Sequence, residues 1–151
     1  MRPRALDYLA THHTLTVATA GPDGPWAAAL FYANDAFVLY WLSDPGSRHS
    51  LNIAHNPRVA ITIHEDYRDW RMIQGLQMEG TAEQLGAPGS AEGPMRIYAA
   101  KYPFLRDWRN PPPALAAALD SARVYRFTPS RVLLIDNTLG FGHRDEIDPR
   151  G

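Results

Sequence analysis

The feature that most restricts this chain is its punctuation: short apolar, β-branched or aromatic runs recur between turn-forming residues, and helical texture comes only in brief stretches. Residues 14–20 (TLTVATA) alternate and close at Gly21-Pro22-Asp23-Gly24, the pattern of a strand and a tight turn. Residues 26–33 continue as a second strand, Asn34-Asp35 supply a hairpin turn, and residues 37–42 form a third run, so this region reads as a three-stranded antiparallel meander. Strand texture returns at 59–64, 76–85, 123–128 and 132–136, the last two separated by Thr128-Pro129-Ser130. Short helices are expected at 3–12, at 48–56, around Met95, Ile97, Tyr98 and Tyr102, and at 114–118. Nothing alternates as strand–helix–strand, and no repeat of fixed period occurs. The prediction is a mainly β fold with peripheral α-helices: an antiparallel, Greek-key-like split β-barrel, whose closure removes exposed strand edges.

Composition narrows the chemistry. A chain of 151 residues suffices for one domain, 1–151, with a proper hydrophobic core and no covalent staples. The absence of cysteine excludes disulfides, thiolate metal sites and a cysteine nucleophile, so redox chemistry would need a bound cofactor. Of the 15 basic residues only Lys101 is a lysine, which leaves one Schiff-base candidate and gives anion recognition to arginine. A net charge of −1 offers no general attraction for nucleic acid. The longest apolar run, 26–33, is too short to cross a bilayer, and the first residues lack a secretory pattern; the expectation is a soluble cytoplasmic protein without a membrane partner. The six histidines lack chelating spacing, so no metal site is expected.

The most informative stretch is DPGSRHSLNIAHNPRV, from Asp44 to Val59. Ser47 is placed to cap a helix that Asn56-Pro57 stops, and the first turn then carries Arg48 and His49. Cations at that end oppose the helix dipole by roughly 0.3–1 kcal/mol each. Free N–H groups, a serine hydroxyl and an arginine fork at a helix start together make a phosphate cradle. The plainer alternative is that Arg48 pairs with Asp44 or a distant carboxylate while His49 is solvated.

Those residues also carry a resemblance. Tyr40-Trp41, Gly46-Ser47-Arg48-His49 and Asn56-Pro57-Arg58-Val59 resemble the signature of the pyridoxamine 5′-phosphate oxidase-like family of FMN-binding split barrels, in which G-S-R-K, a helix and N-P-R-V follow an F-Y-T strand end. Gly80-Thr81-Ala82-Glu83 is similar to the family's G-x-A-E strand, and Pro129-Ser130-Arg131-Val132 to its late P-x-R-[IV] strand entry. The ending, with Asp136-Asn137 and Gly140-Phe141-Gly142-His143, is similar to that of a small uncharacterised subgroup typified in enteric bacteria.

The resemblance implies a homodimer with two FMN molecules in clefts along the subunit interface. Arg48 and His49 would hold the phosphate, with Ser47 adding its hydroxyl or capping the helix. Histidine in place of lysine would make phosphate binding pH-dependent. Ala27, Ala28, Ala29 and Leu30 would border the ring, Trp41 and Leu42 would contact it, and Trp41 or Tyr32 would shape its face. A family glutamine falls at Gly75 here, so Gln74 or the same-face Gln77 would substitute, with Gln77 favoured. The lysine that holds substrate phosphate in the true oxidase is absent near Tyr32, as is that enzyme's C-terminal motif, which argues against pyridoxal phosphate synthesis. The resulting expectation is an FMN-dependent oxidoreductase acting on a small-molecule substrate. The alternative is a non-catalytic barrel binding FMN, a deazaflavin or haem, the last with His49, His55 or His143 as axial ligand. The tail 138–143 is expected to fold tightly, either on the surface or over a partner's flavin.

Overall fold

The computed structural model describes residues 1–151, arranged as α1 (Arg2–Thr11), β1 (Thr14–Gly21), β2 (Gly24–Phe31), β3 (Ala33–Asp35), β4 (Val38–Ser43), α2 (Arg48–His55), β5 (Arg58–His64), β6 (Gln74–Gly86), α3 (Glu92–Lys101), α4 (Pro113–Ser121), β7 (Arg123–Asp136) and β8 (Arg144–Ile147). The strands form one antiparallel sheet in the order β2-β1-β5-β6-β7-β4-β3, with β8 added to β7. The expected mainly β split barrel with short peripheral helices is what the chain forms. Inward side chains alternate with outward ones: Leu15 and Val17 from β1, Ile61 and Ile63 from β5, Leu76 and Met78 from β6, and Phe127 and Val132 from β7 share one core. No helix is long and apolar enough to cross a membrane.

Three local expectations need correction. The meander does not form: β2 pairs with β1 alone, while β3 pairs with β4 at the far edge of the sheet. The chain breaks at Tyr32, whose buried side chain hydrogen-bonds to the carbonyl of Leu9 at 2.8 Å and whose own carbonyl accepts from the Tyr102 hydroxyl. Second, Asn34 and Asp35 belong to β3 rather than to the turn, which passes through Ala36 with φ of 50°. The Asn34 side chain secures it by donating to the carbonyl of Ala36 at 2.9 Å. Third, Pro129 does not end a strand. β7 runs through it, absorbing the irregularity as a register shift opposite Glu79 and Gly80. A side chain at Gly80 would lie 2.2 Å from the carbonyl oxygen of Thr128, so the close approach requires glycine.

The tail also holds a strand that the sequence pattern missed. After a single helical turn at Asn137–Leu139, β8 pairs with the second half of β7, in register from Val132↔Ile147 to Ile135↔Arg144. At the other end of the chain, α1 lies against the barrel, and its Arg4 forms an ion pair with the buried Asp136.

Candidate functional site

One sheet edge, the strand next to the other edge and one helix start define the site. β2 is an edge strand, pairing only with β1, and β4 lies near the opposite edge, between β7 and β3. Between them, α3, α4 and their connecting loop wall a cleft of about 500 Å³ lined mostly by apolar groups, among them Ala29, Leu30 and Leu42. Ser43 and Asp44 line the same cleft and lead into the start of α2.

Helix α2 is fixed by packing at its base. Asn52 is buried and donates to the Thr19 hydroxyl at 3.0 Å. A side chain at Gly21 would meet the Asn52 amide oxygen at 2.0 Å, so this glycine lets the helix seat against β1. Ser47 caps the helix as expected, its Oγ accepting from the Ser50 N–H at 3.4 Å and donating to the Asp44 carbonyl at 2.8 Å. The first turn holds no acidic residue.

Arg48 and His49 diverge. The Arg48 guanidinium lies 4.2 Å from the centre of the Trp26 ring and donates to the carbonyl of Asp23 at 3.3 Å, so it rests on the β1–β2 hairpin beside the helix start. His49 is buried; its Nε2 and the Ser43 Oγ are hydrogen-bonded at 2.7 Å, with Ser47 Oγ at 3.3 Å. Burial lowers the His49 pKa below its ordinary value, so at neutral pH the ring is uncharged. The pH dependence expected of an imidazolium therefore moves to more acidic conditions. Neither half of the plainer alternative holds: Arg48 sits on an aromatic ring, and His49 is not solvated.

The other sequence-derived residues separate by position. Ala27 and Ala29 point outward on β2, and Ala28 and Leu30 pack partly against the core. Leu42 packs toward α3 and α4, whereas Trp41, one residue earlier, turns into the barrel and stacks on Tyr125 at 6.1 Å. Its indole N–H is buried without a partner. Tyr32 is wholly buried behind the cleft, and burial raises its phenol pKa. Gln77 is not with these residues: it lines a separate shallow pocket on the outer sheet face with Thr16, Thr62 and Arg131. At Gly75 no side chain fits, because a Cβ would lie 2.8 Å from the carbonyl oxygen of Ile63.

In the sequence, Tyr98, Tyr102, Phe104 and Trp108 are candidates for the wall of a substrate cleft, with core as the alternative that helical spacing favours. Tyr98, Phe104, Leu115 and Leu119 complete the cleft. Of the four aromatics, Tyr98 and Phe104 line the cleft, whereas Tyr102 and Trp108 pack in the cluster behind it; Leu115 and Leu119 carry no signal in the sequence.

Comparison with known proteins places this geometry. The family model described as pyridoxamine 5′-phosphate oxidase matches residues 1–136. A UPF0306 protein of Klebsiella pneumoniae (strain 342) is 29% identical over 140 residues, covering 91% of this chain and 86% of the relative. A haem-binding protein of Mycobacterium smegmatis superposes with a TM-score of 0.73 at 20% identity, over 99% of this chain and 57% of that one. An FAD-binding protein of Mesorhizobium loti does so with a TM-score of 0.64 at 22% identity, over 86% and 90%. At these identities the superpositions establish the fold.

Proposed function

Because this chain belongs to the pyridoxamine 5′-phosphate oxidase family, we propose that it is an FMN-binding oxidoreductase working on a small-molecule substrate as a homodimer. The observation that carries the reading is the junction just described: a largely apolar cleft at a free strand edge opens, through Ser43 and Asp44, onto the start of a helix whose first turn has a serine cap, an arginine and no acid. A flavin mononucleotide has this same division, an apolar ring system tied to a dianionic phosphate. The donor set fits that group, since the α2 N–H groups and Arg48 suit an anion and the cleft suits the ring.

In this reading Arg48 exchanges its contact with Trp26 and Asp23 for the phosphate. His49 acts as an uncharged group that, through Ser43, fixes the last residue of β4 against α2. The edge of β2 from Ala27 to Leu30 offers backbone groups to the ring, with Leu42 opposite. Tyr32 and Trp41 support the cleft from behind. Gln77, on the other face, would meet a flavin only across the subunit interface. Bound flavin would supply two-electron transfer, which no side chain of this cysteine-free protein supplies; the chain's share is binding, orientation and exclusion of water.

The haem-binding neighbour supports a second ligand class, and the histidines weigh on it. His49 Nε2 is engaged by Ser43, and His143 Nε2 by Asp145 at 2.9 Å, which leaves His55 with no such engagement. Purification, absorption spectroscopy and FMN titration followed by flavin fluorescence test the proposal. Binding with quenching is expected, and Arg48→Ala should weaken it by roughly 1.5–3 kcal/mol. A colourless protein that leaves FMN fluorescence unchanged would overturn the flavin assignment, and a Soret band would point to haem.

A further inference from the structure

Two helices wall the cleft, and they are held in very different ways. α3 is pinned along its length: Met95 and Tyr98 are buried, the Tyr98 hydroxyl donates to the Phe31 carbonyl at 3.1 Å, and Lys101 donates to the carbonyls of Leu9 and His12. α4 has no buried residue at all. Its hold on the core is through Leu115 and Leu119, both half-buried against the cluster of Tyr98, Tyr102 and Leu105, while Ala114, Ala117 and Ala118 face solvent.

Polar contacts add little to that hold. The one hydroxyl of α4, on Ser121, donates to the Ala118 carbonyl within the helix at 3.3 Å, and the one side-chain hydrogen bond that α4 receives from outside runs from Arg123 to the Asp120 carbonyl at 3.3 Å. A nine-residue helix without a side-chain cap is marginal in isolation, so the position of α4 depends on its two leucines.

The ends are fixed where the middle is not. Before the helix, Arg109 pairs with Glu92 of α3 and lies 4.6 Å from the centre of the Trp108 ring; Pro111-Pro112-Pro113 follows as a stiff extended arm, with Pro112 at φ −59° and ψ 155°. After the helix, Arg123 enters β7 in register with Ser43 of β4. There is also room for the middle to move. A second cavity of about 460 Å³ is lined by Ala116, Leu119 and Asp120 of α4 and by Pro88, Trp108 and Pro111. Leu119 borders this cavity and the ligand cleft alike, so the helix is a partition between two spaces.

We propose that α4 is a movable wall: pivoting between its fixed ends toward the second cavity, it widens the cleft to admit a ligand, then returns to close on the ligand once seated. The inference rests on the flavin reading only for what enters, whereas the motion is read from how α4 is attached.

Hydrogen exchange followed by mass spectrometry on the full chain reads the motion. In the ligand-free protein the amides of residues 114–121 should exchange about a hundred-fold or more faster than those of α3, and FMN should slow them about ten-fold or more while leaving α3 unchanged. A chemical probe reads the gating without flavin. Because the chain has no cysteine, Leu42→Cys places a single thiol in the cleft, and its rate of alkylation by iodoacetamide reports access. Adding Ala117→Gly, on the solvent face of α4, weakens the helix without touching the cleft and should raise that rate about five-fold. Protection of α4 equal to that of α3, FMN binding that leaves α4 exchange unchanged, or a thiol rate unmoved by Ala117→Gly would each overturn the inference while leaving the flavin reading intact. If FMN does not bind, yet α4 exchanges rapidly and the thiol rate rises with Ala117→Gly, the flavin reading falls and the movable wall stands.

Discussion

Two helix ends in this molecule face opposite electrostatic problems and meet them differently. The C-terminus of α1 presents carbonyls, and the chain directs its one lysine there: Lys101, from α3, donates to Leu9 and His12, while the hydroxyls of Tyr32 and Tyr102 reach Leu9 and His13. Its ammonium lies 4.0 Å from the centre of the Tyr32 ring. Burial lowers its pKa to about 8, and the carbonyl acceptors favour the charged form, so it remains protonated at neutral pH. The N-terminus of α2 has the complementary need for negative charge, and its first turn carries Arg48 and His49 instead. The first end is completed from within the fold. The second has a serine cap and no negative charge of its own in its first turn, the charge that the phosphate of the proposed flavin would supply.

Breaking the completed end should have the largest effect. Lys101→Met keeps the apolar stem but leaves the His12 carbonyl without its donor and the Leu9 carbonyl with the Tyr32 hydroxyl alone, and should cost about 2 kcal/mol in denaturant unfolding. Its FMN affinity should stay near that of the wild type; a stability change under about 0.5 kcal/mol would show that the clamp is dispensable. At the open end, Ser47→Ala removes the cap and should cost about 1 kcal/mol, with α2 fraying as the Ser50 N–H loses its acceptor. A drop of similar size in a variant that already lacks Arg48 would separate capping from anion binding.

The smallest effect concerns His49. Its folded pKa lies below its unfolded value, so the unfolded chain takes up the proton first as pH falls. The stability linked to this ring is full above about pH 6.5 and diminishes below it, toward the folded pKa. His49→Gln should therefore flatten the decline in unfolding free energy between pH 7 and 5.5 by less than about 1 kcal/mol. An unaltered slope would mean that the ring is not shielded as described.

The sequence made β1, β2, β4 and β5 legible because each is short, apolar or alternating, and set off by Gly, Pro, Asn or Asp, whereas β7 read as two strands and β8 escaped; it made the α2 start legible because capping is a local matter. Pairing order was not legible. Whether 26–31 lies beside 38–43 depends on where Tyr32 buries its ring, and that pocket is built by α1 and α3, distant in sequence. Trp41 and Leu42 are adjacent and both apolar, so pattern alone could not say which faces the cleft and which the core. The burial of His49 depends on Ser43, six residues earlier and across the loop. The α3–α4 wall was legible in part: the aromatics from 98 to 108 marked it, but helical aromatics look alike whether they fill a core or border an opening, and Leu115 and Leu119 bear no mark at all.

The long strand β7 has a consequence for how the fold comes apart. Its first half is zipped to β4, its second half to β8, and nearly its whole length to β6. The tail strand can therefore peel away while β6 still covers the backbone beneath it, and the hairpin of β3 and β4 can open at the other end without disturbing that region. Failure is thus graded, with two independent peripheral openings around a central pair of strands that must part last. One of these two openings, at β4, is also a wall of the proposed ligand cleft, so the integrity of the site follows the β4–β7 seam and is indifferent to the β7–β8 one.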